Sequence, residues 1–183
     1  GGLKKDFDKS SPMQKATAVT FAGLLDMVAR AQPRMRIRLS TSNPQDMTVD
    51  VIETMALHPN ICNYIHLPVQ SGSDQMLQAM NRLHTREEYF RLIDTIRQHI
   101  PDCGISHDMI AGFPGETEKD HQQTLSLMEY VQYDFGFMFA YSERPGTLAA
   151  RKLEDDVPEP VKKRRLREII ELQQKHSLYR NRQ

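Results

Sequence analysis

Cysteine is nearly absent from this chain. Cys62 and Cys103 stand apart, with no CxxC and no Cys/His cluster. That excludes a disulfide framework and a cysteine metal site held by this chain alone. With no secretory signal at its start, both are read as reduced thiols and the protein as cytoplasmic. No apolar run approaches the roughly 20 residues that a membrane-spanning helix needs. An excess of one charge is also lacking: 24 Lys and Arg face 24 Asp and Glu. No global field therefore selects nucleic acid, and any such contact has to come from a local patch. Neither GxGxxG nor GxxxxGK[ST] occurs, which argues against a nucleotide-phosphate loop. What is present is 39% hydrophobic and 26% charged residues over 183 positions, enough for one globular domain with a core.

The stretch Tyr64 to Asp74 sets the pattern for the rest. Tyr64, Ile65, Leu67 and Val69 form an apolar run too short for a helix, and Pro68 ends the strand because it cannot donate to a ladder. Gln70 to Asp74 then form a polar turn in which Gly72 is free to take positive φ, and Ser73 or Asp74 caps the next helix. The device recurs. Residues 1–17 read as a flexible linker, and residues 18–183 as one domain. Thr20 caps a helix to about Ala31, with Phe21, Leu24, Leu25 and Val28 on its apolar face. Met35 to Leu39 reads as a strand, Ser40 to Pro44 as a polar turn, and Thr48 to Leu57 as a helix. Thr85 and Glu88 form a capping box for a helix with Tyr89, Leu92, Ile93, Ile96 and Ile100 on one face. Cys103 to Ala111 is a strand, Gly112 to Thr117 its turn, and a helix follows to Val131. Phe135 to Tyr141 is a further strand, Ser142 to Thr147 its turn, and residues 158–183 a long charged helix.

Strand, polar turn and helix thus recur about four times, the mark of parallel βα units in a barrel or an open sheet. Ligands bind at the carboxyl ends of such strands. The side chains suited to that rim are Gln70, Arg82, Asp108, Glu116 and Arg144. Asp108 sits in an apolar strand, where a carboxylate needs a partner or a ligand hydroxyl. Arg82 follows a helix and suits a carboxylate, and Gly112 and Gly115 allow close approach of a flat ligand. His66, His84 and His107 read as ordinary hydrogen-bonded residues, and Met76 and Met80 as core. On these residues alone, a barrel enzyme and a binding module both stand.

Four motifs carry a resemblance: His66 to Asp74 (HLPVQSGSD), Met80 to Thr85 (MNRLHT), Gly112 to Thr117 (GFPGET) and Tyr141 to Thr147 (YSERPGT). In this order the chain resembles the methylthiotransferase family of radical S-adenosylmethionine enzymes, from about Arg36 to its C-terminus. It is most similar to the tRNA branch, which places a methylthio group on carbon 2 of an isopentenylated adenosine beside the anticodon. The branch acting on threonylcarbamoyl-adenosine shares QSGSD. The branch acting on a ribosomal-protein aspartate reads closer to IPLQHAS. Asn43 stands where the tRNA branch usually has histidine. Asp108 stands at the first glycine of the superfamily's Gly-x-Ile-x-Gly-x-x-Glu adenosine motif, and Glu116 falls one residue late.

The resemblance implies an α/β fold, a partial (β/α) TIM-type barrel, of which this chain supplies about four βα units from roughly six strands. It implies S-adenosylmethionine and [4Fe–4S] clusters as cofactors and tRNA as partner. The CxxxCxxC loop, the upstream second-cluster domain and the tRNA-binding β domain of the family are not in this sequence. The chain is therefore expected to be inert alone and to self-associate through an open sheet edge. By the same resemblance, Gln70 and Asp108 bond the ribose hydroxyls, with Ser71 beside them. Arg82 pairs with the cofactor carboxylate. Ile110, Gly112 and Tyr141 border the adenine, and Thr41 and Ser42 line the rim. Arg144 and the basic face of the last helix, with Lys163 and Arg164, are the expected tRNA contacts. Leu166, Ile169, Ile170 and Leu178 are expected to dock that helix.

Overall fold

The computed structural model describes residues 11–13, 18–40 and 43–182. Most of the stretch read as a linker, and Thr41 and Ser42 of the rim, lie outside the described residues. Helix α1 (Phe21–Ala31) starts as read, with Thr20 Oγ1 accepting from the Gly23 amide at 3.0 Å. Its docking face differs from the expected one. Ala22, Leu25 and Ala29 are buried, while Phe21, Leu24 and Val28 stay exposed. The two apolar stripes are adjacent on this helix, and the one with two alanines lets α1 approach α2 (Val49–Leu57) closely.

The expected strand at Met35 to Leu39 shrinks to a single parallel bridge, Ile37 to Ile61. Its ladder holds only Ile37 N donating to Asn60 O and Cys62 N donating to Ile37 O, each at 2.8 Å. The sheet proper is β1 (Tyr64–His66), β2 (Gly104–Ala111) and β3 (Phe135–Ala140), all parallel and in that spatial order. Helices α3 (Asp74–Ala79) and α4 (Arg86–His99) cross from β1 to β2, and α5 (Glu118–Val131) crosses from β2 to β3. The fold is thus the expected partial barrel, with three full βα units and the bridge in place of a fourth strand. After β3 come α6 (Leu148–Lys152) and α7 (Glu159–Arg180).

Parallel pairing puts opposed residues on one face. His66 opposes Ser106, and Ser106, Asp108 and Ile110 oppose Phe135, Phe137 and Phe139. This is the side away from the helices; its three phenylalanines are about half exposed, at 50%, 48% and 54%. Ile65, Ile105, His107 and Met109 face the other way, into the helices, and form the core with Tyr89, Ile93, Ile96 and Leu127. The capping box at Thr85 and Glu88 is present, the Glu88 carboxylate accepting from Thr85 N at 2.8 Å.

The register slips once. Four residues lead from His66 to Gln70 while three lead from Ser106 to Met109, the next bridged pair. The extra residue falls at Leu67-Pro68-Val69 and makes a bulge, which Gln70 closes in the left-handed region at φ 75°. Gly72 does not take positive φ. It is required because a Cβ there would lie 2.4 Å from Gln123 O and 2.6 Å from Thr124 Cα.

Helix α7 docks only in part as expected: Ile169 is in the core and Leu166 packs against it. Its buried stripe is Lys162, Arg165, Ile169, Gln173 and His176, at helical spacing, while Leu178 is exposed. Four of these five are polar, so an apolar count misses the stripe. Two of them find partners inside, Arg165 meeting Glu116 and Gln173 bridging His107 to the Tyr133 carbonyl, while Lys162 meets the exposed Asp155. Gly136 permits this, since a Cβ there would lie 2.2 Å from the His107 ring.

Burial pushes the His107 imidazole down to about 4. An unfolded chain protonates this group near 6.5, so between the two values unfolding takes up a proton. Stability is therefore full above about pH 6.5 and should fall by up to about 1.4 kcal/mol per pH unit as the solution is acidified towards 4. Urea unfolding midpoints at pH 7, 6 and 5 should show this slope, and His107→Gln should flatten it. An unchanged slope in that variant would assign the proton uptake elsewhere.

Candidate functional site

The bulge decides where the site lies. It turns Gln70 towards β2, where Gln70 N donates to Asp108 O at 2.9 Å and Ile110 N donates to Gln70 O at 3.0 Å. The Gln70 side chain then shares one cavity of about 340 Å³ with Asp108, Ile110 and Tyr141, all at the carboxyl ends of the strands. Phe113 and Phe139 supply further apolar wall, and Phe113 meets Tyr141 edge to face at 5.1 Å. Arg144, Ser142, Thr147 and Ala149 close the outer side. Polar groups beside three aromatic rings, Phe113, Phe139 and Tyr141, suit a ligand with a flat ring and hydroxyls.

Asp108 is partly open to solvent and lies 3.5 Å from His66 Nε2, whose Nδ1 meets Ser106 Oγ at 2.8 Å. That carboxylate makes no closer bond to a neighbouring backbone among the described residues, so it is open to accept. Arg82 does not line the cavity. It stands at the break after α3, which Asn81 makes in the left-handed region at φ 57°, with Arg82 N donating to Leu77 O at 2.8 Å. Burial pushes the Arg82 guanidinium down from its usual value, and the nearby Asp108 charge works against that. Its side chain makes no hydrogen bond among the described residues. Burial together with Asp155 and Glu143 pushes the Tyr141 phenol up, so it is a neutral donor.

Several expected contacts sit elsewhere. Ser71 is wholly buried: its hydroxyl meets Thr124 Oγ1 at 3.3 Å and accepts from Ser73 N at 3.2 Å. It supports the turn rather than facing the cavity. Gly112 lies behind the wall; at φ 74° it is one of two left-handed glycines in the turn, with Gly115 at φ 79°, and a Cβ on Gly112 would lie 2.3 Å from Lys162 Cγ. Its close approach is to α7, not to a ligand. Glu116 is buried as well, accepting from Gly112 N at 2.8 Å and from Arg165 Nη1 at 2.9 Å. Arg164 is held by Glu118 at 2.6 Å and Glu168 at 2.7 Å, whereas Lys163 is largely exposed and 3.8 Å from Glu159. Glu118, His121 and Glu168 bring ligand atoms within 4.8 Å of one another, but the Arg164 guanidinium already joins both carboxylates.

Two polar ties that the sequence did not flag hold the rim together. The Asp120 carboxylate accepts from Ser73 Oγ and Thr117 Oγ1, both at 2.5 Å, and so joins the turn after β1 to the turn after β2. Arg86 donates to Gly72 O at 2.8 Å and Gln123 O at 2.5 Å, and its Cζ lies 4.6 Å from the Phe90 ring centroid.

The chain does not itself fit an iron–sulfur cluster. Cys62 precedes β1 and Cys103 precedes β2, and burial pushes the Cys103 thiol up to about 12. A cluster takes several closely placed thiolates. Reconstitution of this chain with iron and sulfide should give no cluster absorbance, and a stoichiometric cluster would overturn the assignment. Light scattering on a sizing column should show oligomers, because the half-exposed phenylalanines of β3 stand beside an edge paired on one side only among the described residues. A clean monomer would remove that expectation.

Residues 15–128 match the family described as the Radical SAM superfamily. Among curated proteins, the tRNA-2-methylthio-N(6)-dimethylallyladenosine synthase of Christiangramia forsetii is 75% identical over 97% of this chain and 37% of its own length. The protein of that name in Flavobacterium johnsoniae is 66% identical over 99% of the chain and 38% of its own length. The chain thus spans well under half the length of these relatives. Among solved structures, coproporphyrinogen III oxidase of Escherichia coli, a radical SAM enzyme, superposes with a TM-score of 0.65 at 23% identity, over 84% of this chain and 36% of that one. The radical S-adenosylmethionine methyltransferase TsrM of Kitasatospora setae superposes with a TM-score of 0.56 at 15% identity, over 70% and 26%. Both likenesses concern the fold.

Proposed function

Because the chain belongs to the radical SAM superfamily, we propose that its rim cavity holds the adenosine half of S-adenosylmethionine. We propose further that the whole protein is a cytoplasmic tRNA methylthiotransferase acting at carbon 2 of an N6-dimethylallyladenosine. The observation that carries this reading is the convergence of Gln70, Asp108, Ile110 and Tyr141 on one cavity from three successive strand ends. Asp108 and Gln70 accept the ribose hydroxyls. Ile110, Phe113 and Tyr141 bracket the adenine, and Arg82 receives the carboxylate of the methionine half. The bound cofactor and the cluster supply radical chemistry; this chain orients the adenosine and keeps water from its ring with the aromatic wall. The names borne by relatives at 66% and 75% identity support the choice of tRNA substrate. Arg144, at the mouth of the cavity, and the exposed Lys163 are the groups we assign to tRNA phosphate.

The test uses the full-length enzyme, purified without oxygen, and tRNA carrying isopentenyladenosine. Mass spectrometry of nucleoside digests should show the methylthio derivative, and Asp108→Ala should raise the KM for S-adenosylmethionine. Methylthiolation of threonylcarbamoyl-adenosine alone, or of a ribosomal protein, would replace the substrate assignment.

A further inference from the structure

The chain from Tyr141 to Val157 leaves β3, passes over the mouth of the cavity and returns to α7. Its outward part carries Ser142, Arg144, Thr147 and Ala149 of the cavity wall. Yet this strap is barely packed. Helix α6 has no buried residue, and from Ser142 to Asp156 every residue is exposed except Ala149 and Ala150, which are intermediate. Burial of apolar surface therefore does not fix its position.

Its ends do. Lys162 Nζ pairs with Asp155 at the return end and donates to Tyr141 O, at 3.5 Å, at the outgoing end. The same ammonium lies 5.3 Å from the centroid of the Tyr141 ring, within range of a cation–π contact. Its stem fills the space that Gly112 leaves open, and only 4% of the side chain is exposed. The neighbouring Asp156 accepts from Gly115 N at 2.7 Å, tying the strap to the turn after β2. Burying a charge without a counter-charge costs free energy, and among the described residues Asp155 is the carboxylate that pairs with Lys162.

We infer that the Lys162–Asp155 pair pins both ends of the 142–156 strap and so positions Tyr141 and Arg144 at the cavity. This inference rests on the reading of that cavity as the adenosine site. Lys162 is a positioning residue: it acts through Tyr141 and the strap and does not itself line the cavity. The arrangement makes cofactor affinity depend on a contact made by the last helix.

The test compares Asp155→Asn, Lys162→Met, the double variant and Lys162→Arg in the full-length enzyme. Asp155 is 31% exposed, so Asp155→Asn should fold even if Lys162→Met does not. Losing the charge-assisted contact should speed tryptic cleavage after Arg151 and Lys152 about tenfold, since cleavage follows the open population. It should raise the KM for S-adenosylmethionine about five- to tenfold while kcat stays within about twofold. The double variant should be no worse than the worse single one, and Lys162→Arg should recover most of the protection. Wild-type cleavage and KM in Asp155→Asn would overturn the pin. If Asp108→Ala raises the KM while Asp155→Asn does not, the pin fails and the cavity reading stands. If Asp155→Asn loosens the strap but neither variant changes the KM, the cavity reading falls, and the strap's part in cofactor binding falls with it.

Discussion

Replacing Arg165 with methionine should cost the fold about 3–5 kcal/mol, the usual penalty for removing one partner of a buried ion pair. The pair is Arg165 and Glu116, with 6% and 2% of their side chains exposed. Burial already pushes the Glu116 carboxyl up, against the Gly112 amide and the Arg165 charge, which hold it down. Without Arg165 the carboxyl rises further. A carboxyl with a raised folded pKa destabilises the fold most where the unfolded chain is ionised, so the deficit should be small at acid pH and grow as the pH rises through that value. Urea midpoints at pH 5 and pH 7.5 should separate the two regimes. The double variant Glu116→Gln with Arg165→Met should recover much of the loss, because neither charge is then stranded. A loss under about 1 kcal/mol at pH 7.5 would mean that water reaches the pair. The turn that Glu116 holds carries Phe113, so the single variant should also weaken cofactor binding.

The Glu116–Arg165 pair marks the line between residue patterns that are legible in the sequence and those that are not. Features set within one or two helical turns were readable: the Thr20 and Ser73 caps, the Thr85–Glu88 box, and the apolar face of α4 with Tyr89, Ile93 and Ile96 buried. Parallel βα order followed from the spacing of strands and helices, and the strand-end turns pointed to the rim. Features that depend on distant partners were not readable. Glu116, one place late in the expected motif, turns its carboxylate inward to Arg165, 49 residues away. The docking stripe of α7 is polar, and only its partners Asp155, Glu116 and His107 make it a core face. Arg164 looks free in the sequence and is held by two carboxylates in the fold.

The same division applies to the glycines. Gly72 and Gly112 each stand in a polar turn; Gly72 reads as a residue free to take positive φ, and Gly112 as space for a ligand. In the fold, Gly72 makes room for the backbone of α5 and Gly112 for the stem of Lys162. Positive φ thus belongs to Gly112 and not to Gly72, and at both positions the group that a Cβ would meet is protein. The residue that turns towards the cavity at positive φ is Gln70, a non-glycine held there by two ladder bonds to β2. Its strained position is supported by a register slip that no local pattern predicts.

Arg82→Ala should weaken S-adenosylmethionine binding to the full-length enzyme by roughly 1.5–3 kcal/mol, about 10- to 150-fold, as for a lost charge-assisted bond. The backbone of Arg82 is held rigidly: Asn81 turns the chain at φ 57°, and Arg82 N is tied to Leu77 O. Its guanidinium is partly removed from water, which pushes its pKa down, and the Asp108 charge compensates that only in part. Among the described residues this half-buried guanidinium makes no side-chain hydrogen bond and so lacks an acceptor. A cofactor carboxylate beside the ribose that Asp108 holds would provide one, in the two-pronged geometry that a guanidinium favours. Arg82→Lys keeps the charge and loses the fork, so it should fall between wild type and Arg82→Ala. Asp108→Ala should weaken binding less, because it removes a hydroxyl acceptor rather than a charge pair. Equilibrium dialysis with labelled cofactor, on enzyme whose clusters are intact by absorbance, would measure all three. Normal binding by Arg82→Ala would place the carboxylate elsewhere and leave the unpaired guanidinium for another anion.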